Sequence, residues 1–334
     1  MRRPSLGGAT AHALRLILVW LSRRRFLGRV ATRLPITRAM VARFVAGERR
    51  EQALDALASL RDQGFRTTVD ILGESVTSEA AARAAADEYL ATIDALTERG
   101  LDRNVSLKLS QMGLGVSRDL CRENVARILA RAVERDAFVR IDMEDHTATD
   151  ATLAVWRDLR PAAAPDDPGA TTGGDAGVVI QSALRRSATD ADALIAAGAR
   201  VRLCKGAYVE PASVAFQDKA EVDAAFETLM LRLLREGRFP AFATHDDRLV
   251  RRAIEVARAE GIAPDRFEFQ MLYGVRRDLQ EQLRRSGYGV RVYVPFGTEW
   301  YPYFMRRLAE RPANIAFLLR SILREGRRPA SPPD

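Results

Sequence analysis

Polar residues recur in this chain wherever a short apolar segment ends. Asp70 and Glu74 attend the first segment, Lys108 the second, Asp142 and Glu144 the third, and Gln181 the fourth. Arg202 and Lys205 attend the fifth, Thr244 and His245 the sixth, Gln270 the seventh and Tyr293 the eighth. Charges brought to one place must satisfy one another or a ligand, because an unpaired charge out of water is expensive. Singly, each residue has a plain structural reading. A lysine at a segment end is as often an ion-pair partner as a ligand, and a lone histidine is more often a satisfied core residue. Recurrence at nearly every segment end marks a site.

A second constellation follows the eighth segment, in GTEWYPYFMRRLAER (297–311). On a helix, Tyr303, Arg306, Arg307 and Glu310 fall at i, i+3, i+4 and i+7, a single face. Arg306 and Arg307 are about 100° apart around such a helix and could grip a small acid from two sides. A planar guanidinium pairs well with a carboxylate, and Glu310 could hold one arginine in place. The competing reading is a solvated basic face. The aromatic residue on the same stripe and the excess of cations near the segment ends favour an anionic ligand.

The elements that must position these residues are legible as a rhythm. The apolar runs are TTVDILG (67–73), VSLKLS (105–110), FVRIDME (138–144), VVIQS (178–182), VRLCKG (201–206), FATH (242–245), FEFQML (267–272) and VRVYVP (290–295). Each has strand length and β-branched or aromatic content. Between them lie segments of helical period such as 78–96 and 248–259. Strand and helix alternating through eight strands predicts an α/β fold with a parallel sheet closed as a (β/α)8 TIM barrel. A doubly wound open sheet is the alternative. It would open with a glycine-rich phosphate loop, and DILGESV is not one.

Residues 1–64 read as an N-terminal helical segment packed on the barrel, with helices over 34–47 and 48–64. Residues 65–324 form the barrel, 161–177 a Pro/Gly/Ala-rich surface loop, and 325–334 a disordered tail. The 334 residues are 47% hydrophobic, enough for a sizeable core. Two cysteines, Cys121 and Cys204, form no CxxC or Cys/His cluster, which argues against a zinc site or disulfide framework and for a reduced, cytoplasmic setting. A single bridge between them stays open.

The net charge of +8 is interleaved with acids along most of the chain, which speaks against a nucleic-acid patch. The apolar stretch LRLILVWL (14–21), flanked by Arg2, Arg3 and Arg23 to Arg25, falls short of the ~20 residues of a membrane span. As a basic amphipathic helix it could pack on the protein body or rest on a lipid surface.

In order and spacing, VSLKLS, RIDMED, RLCKGAY, FATHD, EFQMLYG and YFMRRLAE resemble the proline dehydrogenase family in its short monofunctional bacterial form. The resemblance runs from RFVAGE (43–48) to about ANIAFLLRSI (313–322). It implies a distorted β/α barrel that binds FAD noncovalently at the C-terminal ends of its strands. It also implies oxidation of L-proline to Δ1-pyrroline-5-carboxylate, with a membrane quinone as electron acceptor. By resemblance, Arg306 and Arg307 bind the substrate carboxylate with Lys108 assisting. Tyr293, Tyr303 and Leu272 wall the proline ring, and Asp142 is a functional aspartate. Arg202 lies near the reactive flavin nitrogen. Met143, Gln181, Lys205, Gly206, Ala207, Thr244 and His245 contact the cofactor. Keeping Tyr303 favours proline over hydroxyproline. The rival readings are a Schiff-base aldolase using Lys108 or Lys205, and a basic nucleic-acid-binding protein.

Overall fold

The computed structural model describes residues 41–160 and 175–310, without the side chains of 306–310. Eight parallel strands close into a barrel in chain order. They are β1 (Arg66–Ile71), β2 (Asn104–Leu107), β3 (Phe138–Ile141), β4 (Ala176–Gln181), β5 (Arg200–Cys204), β6 (Ala241–Ala243), β7 (Glu268–Leu272) and β8 (Gly289–Phe296). Closure is made by β1 on β8, in register from Arg66↔Arg291 to Ile71↔Phe296. The helices are α1 (Arg50–Asp62) ahead of β1, then α2 (Glu79–Glu98), α3 (Arg118–Glu134), α4 (Thr149–Leu159), α5 (Ser187–Ala196), α6 (Lys219–Glu236), α7 (Asp247–Ala259), α8 (Arg277–Arg285) and α9 (Trp300–Glu310).

Local chemistry sets these boundaries. Ser78, Ser117, Asp218 and Asp246 cap α2, α3, α6 and α7 by accepting a backbone N–H of the first turn. After α2 and α5 the chain reverses through Gly100 and Gly198, at φ +60° and +64°, where a side chain would strain the backbone. Outward strand residues such as Val105, Leu107, Val139, Ile141, Val178, Val201, Phe269 and Val292 pack under the apolar helix faces in one continuous core. Each such side chain, fully buried, contributes roughly 1.5–3 kcal/mol.

The eight predicted strands are all present, and most of their ladders stop earlier than the apolar runs. Lys108, Asp142, Met143, Glu144, Lys205, Thr244 and His245 fall just past the strand ends, in the loops. One expected helix is shorter than its pattern. The helical stretch expected over 34–47 does not continue past Ala42, and residues 34–40 lie outside the described residues. Residues 43–47 instead run along the barrel rim. Ala46 N–H donates to Pro295 O at 2.8 Å and Gly297 N–H to Gly47 O at 3.0 Å, bonds a helix would have kept for itself. The segment LRLILVWL, most of the 161–177 loop and the 325–334 tail also lie outside the described residues. Cys121 and Cys204 are both free thiols. Among the described residues, no helix is long and apolar enough to cross a membrane.

Candidate active site

Five strands bring one cluster together at the C-terminal mouth of the barrel. Lys108, just after β2, donates through Nζ to Asp70 Oδ1 of β1 at 2.8 Å and lies 3.9 Å from Asp142 Oδ2. Asp142, just after β3, accepts from Arg202 Nη1 of β5 at 2.5 Å and from the Tyr293 hydroxyl of β8 at 2.8 Å. The Arg202 guanidinium also stands 5.3 Å over the Tyr293 ring and donates through Nη2 to Ser106 Oγ at 3.0 Å. Parallel strands make this convergence possible, because every C-terminal end faces the same opening.

Burial and neighbouring charges act together on Lys108, Tyr293 and Asp70. Burial alone would lower Lys108, but the charges of Asp70 and then Asp142 outweigh it and hold the ammonium well above its ordinary range. Burial, reinforced by Asp142 and Asp70, lifts the Tyr293 phenol well above its usual value. Burial also raises the Asp70 carboxyl, with Lys108 pulling the other way. Lys108 Nζ is paired with the Asp70 carboxylate, and these charges favour its ammonium form, which does not suit attack on a carbonyl as a free amine. Lys205 is tied down as well, by Asp223 at 2.5 Å and Asp246 at 3.2 Å.

Lys108, Arg202 and Lys205 are thus each paired with carboxylates, and two further arginines lie one layer deeper. Arg140 and Arg200 are buried there, each 4.7 Å from the Phe138 ring. Burial, then the charges of Arg202 and Arg200, depresses Arg140 well below the ordinary arginine range, and burial brings Arg200 down to about 10.

The residues expected around a cofactor lie at or just past the ends of β3 to β6, on the same opening. Gln181, the last residue of β4, donates through Nε2 to Glu144 O at 2.7 Å, which orients its amide. Gly206 has φ +112°, and a Cβ there would stand 3.0 Å from Gln181 Oε1. The missing side chain keeps that flank of the amide clear. Met143 and Thr244 are buried, and Ala207 is exposed. His245 accepts through Nε2 from the Leu272 N–H at 3.0 Å, which assigns the ring proton to Nδ1 and joins the loop after β6 to the end of β7. Three of the five Arg202 N–H groups are engaged by Asp142, Ser106 and Gln270, leaving two in the fork for a ligand. An oriented amide beside a glycine gap, with a guanidinium across the opening, suits a flat ring with hydrogen-bonding edges.

The last helix is held by a separate apolar cluster. Tyr303 is 6% exposed and packs with Phe44, Val45, Leu72, Trp300, Phe304 and Met305. Trp300 donates through Nε1 to Glu48 at 3.1 Å, and the Arg43 guanidinium donates to Gly274 O at 3.3 Å. The 43–48 strap therefore anchors α9 against the rim. Arg306, Arg307 and Glu310 occupy the last turns of α9, and their side chains lie outside the described residues.

Sequence reading missed Ser106 and gave no role to Glu268, Gln270 and Arg291, all buried inside the barrel. The signal was present, since Glu268, Gln270 and Leu272 alternate with Phe269 and Met271, as do Arg291 and Tyr293 with Val290 and Val292.

Known proteins agree with one another about this architecture. The family model described as Proline dehydrogenase matches residues 53–320. Proline dehydrogenase of Deinococcus radiodurans is 42% identical over 288 residues, covering 85% of this chain and 90% of that one. Proline dehydrogenase 1 of Bacillus subtilis is 39% identical over 312 residues, covering 93% and 100%. Proline utilization A of Bdellovibrio bacteriovorus superimposes with a TM-score of 0.74 at 28% identity, over 84% of this chain and 34% of that much longer one. Because the matched region takes in all eight strands and relatives of similar length share more than a third of their residues, this chain belongs to the proline dehydrogenase family of flavin-dependent oxidoreductases.

Proposed function

We propose that this protein oxidises L-proline to Δ1-pyrroline-5-carboxylate using noncovalently bound FAD. The observation that carries the reading is the meeting of Lys108, Asp142, Arg202 and Tyr293 in one bonded cluster at the barrel mouth. FAD, when bound, supplies the two-electron chemistry, taking hydride from C5 of proline at its N5. Met143, Gln181, Arg202, Lys205, Gly206, Ala207, Thr244 and His245 hold it. Arg306 and Arg307 grip the substrate carboxylate, Glu310 steadies them, and Lys108 assists. Tyr293, Tyr303 and Leu272 confine the ring, so binding energy is converted into orientation.

Proline departs with a C5–N double bond after losing hydride from carbon and a proton from nitrogen. The positive charge of Arg306 and Arg307 at the carboxylate would favour the neutral amine, whose lone pair assists that loss. Arg202, anchored on Asp142, faces the charge that develops on reduction. Residues 65–324 are assigned to the catalytic barrel and 1–64 to a segment ahead of it, of which 1–40, 161–174 and 311–324 lie outside the described residues. Electrons pass to a quinone, and peripheral contact of this cytoplasmic enzyme with the inner face of the membrane through the basic segment around 14–21 is the alternative to packing of that segment on the protein body. Liposome co-sedimentation with and without residues 1–35 tests that last point, and equal binding would refute it.

The decisive measurement is the absorption spectrum of the purified protein before and after proline. A yellow protein bleached by proline is expected, and a colourless product that refuses added flavin would overturn the reading. Arg306→Met and Arg307→Met should each raise the proline KM at least tenfold with flavin still bound, and unchanged KM in both would remove the clamp. Tyr303 should give a higher kcat/KM for proline than for hydroxyproline.

A further inference from the structure

Below the mouth, a line of buried polar side chains runs down the barrel with a defined direction. Arg202 Nε donates to Gln270 Oε1 at 2.5 Å, and Gln270 Nε2 donates to Glu268 Oε1 at 2.6 Å. Arg291 Nε donates to that same oxygen at 2.8 Å, while its Nη1 donates to Thr67 O at 2.6 Å. Glu268, Gln270 and Arg291 are 2%, 4% and 2% exposed, so water cannot replace a lost partner.

Gln270 stands between a guanidinium that only donates and a carboxylate that only accepts. One of its two amide orientations satisfies both neighbours. The other sets N–H against N–H and oxygen against oxygen in a dry interior. Arg291 completes the direction by keeping Glu268 ionised. Burial would raise that carboxyl, but the charge and hydrogen bond of Arg291, the Gln270 amide and the charge of Arg66 bring it down to about 2. A guanidinium is planar, so fixing the Nε–H direction fixes where Nη1 and Nη2 point. Those atoms meet Asp142 and Ser106.

We propose that Glu268 and Gln270 are positioning residues that set the rotation of Arg202, and through it the electrostatics felt by the flavin. This rests on the reading of Arg202 as the flavin-facing cation. Glu268→Gln keeps the shape but can both donate and accept, so Gln270 loses its enforced orientation. Gln270→Leu removes the relay outright. Arg202→Met serves as the reference.

The test uses purified holoenzyme of each variant and reads flavin content, the midpoint potential of the bound flavin, and kcat and KM for proline. Glu268→Gln and Gln270→Leu should retain flavin and keep KM within about twofold. Their kcat should fall about tenfold. Bound flavin should shift about tenfold toward its oxidised form at a given poise, about 30 mV for a two-electron couple. A potential and kcat equal to wild type in Gln270→Leu would overturn the proposal, even if Glu268→Gln failed to fold. A kcat loss that tracks flavin loss, with the potential of the remaining holoenzyme unmoved, would overturn it too, as a merely structural effect. If Arg202→Met itself leaves the potential unmoved, the underlying reading of Arg202 falls and this proposal with it.

Discussion

The ion pairs around the outside of the barrel and those inside it have the same lengths and different consequences. On the helix ring, Arg83–Glu123, Arg127–Asp87, Arg122–Asp158 and Arg186–Asp150 bridge neighbouring helices at 2.6–2.7 Å, with side chains 37% to 86% exposed. Inside, Arg202–Asp142 at 2.5 Å and Arg291–Glu268 at 2.8 Å have side chains 2% to 12% exposed. Exposed pairs are screened by water and generally contribute about 0–1 kcal/mol. Buried pairs have already given up hydration, so deleting one partner strands the other, at about 3–5 kcal/mol. Apolar replacement of a whole buried pair is often neutral or stabilising, and barrel interiors are ordinarily filled by Val, Ile and Leu. An interior built of arginines and carboxylates is therefore explained better by chemistry at the mouth than by stability.

The sharpest way to break this contrast is Arg202→Met. It should lower unfolding free energy by about 3–5 kcal/mol in denaturant titration and turnover by about 10²–10³-fold. A loss no larger than that of a surface arginine would erase the distinction between the two regions. Next in size is the acid limb of stability. Glu268 holds its proton affinity down to about 2, below the ordinary carboxylate range. The stability it contributes is present above about pH 4.5 and lost as pH falls toward 2. Wild type should thus lose about 3 kcal/mol more than Glu268→Gln between pH 5 and pH 2, and parallel curves would show that Glu268 is not the titrating group. The smallest effect belongs to the ring. Arg122→Ala should shift stability by less than about 1 kcal/mol and leave kcat for proline unchanged; a larger loss would mean the exposed pairs act as a network.

Much of the fold could be read from hydrophobic rhythm because a parallel barrel needs a buried strand and an amphipathic helix in every unit. TTVDILG, VSLKLS and their six successors announced all eight strands. The runs overshot at residues such as Lys108 and Asp142, which lie just past the ladder and serve the mouth. The rim strap 43–47 was mistaken for helix because Val, Ala and Phe at short spacing suit either state, and only the free edge of backbone at Pro295 and Gly297 decides between them.

By itself, then, the sequence determined the order of strands, the polar residue at each strand end and the helix that follows the last strand. Those features depend on neighbours within one or two turns of chain. Only the tertiary structure decided that Lys108 belongs to Asp70, that Asp142 is shared by Arg202 and Tyr293, and that Glu268 and Gln270 underlie Arg202. These partners lie 38 to 151 residues apart, apart from the Gln270–Glu268 step within β7. Alternation along a strand shows that a residue faces one side of a sheet. It takes closure of the barrel to make that side a common interior, where charges from distant strands must find one another.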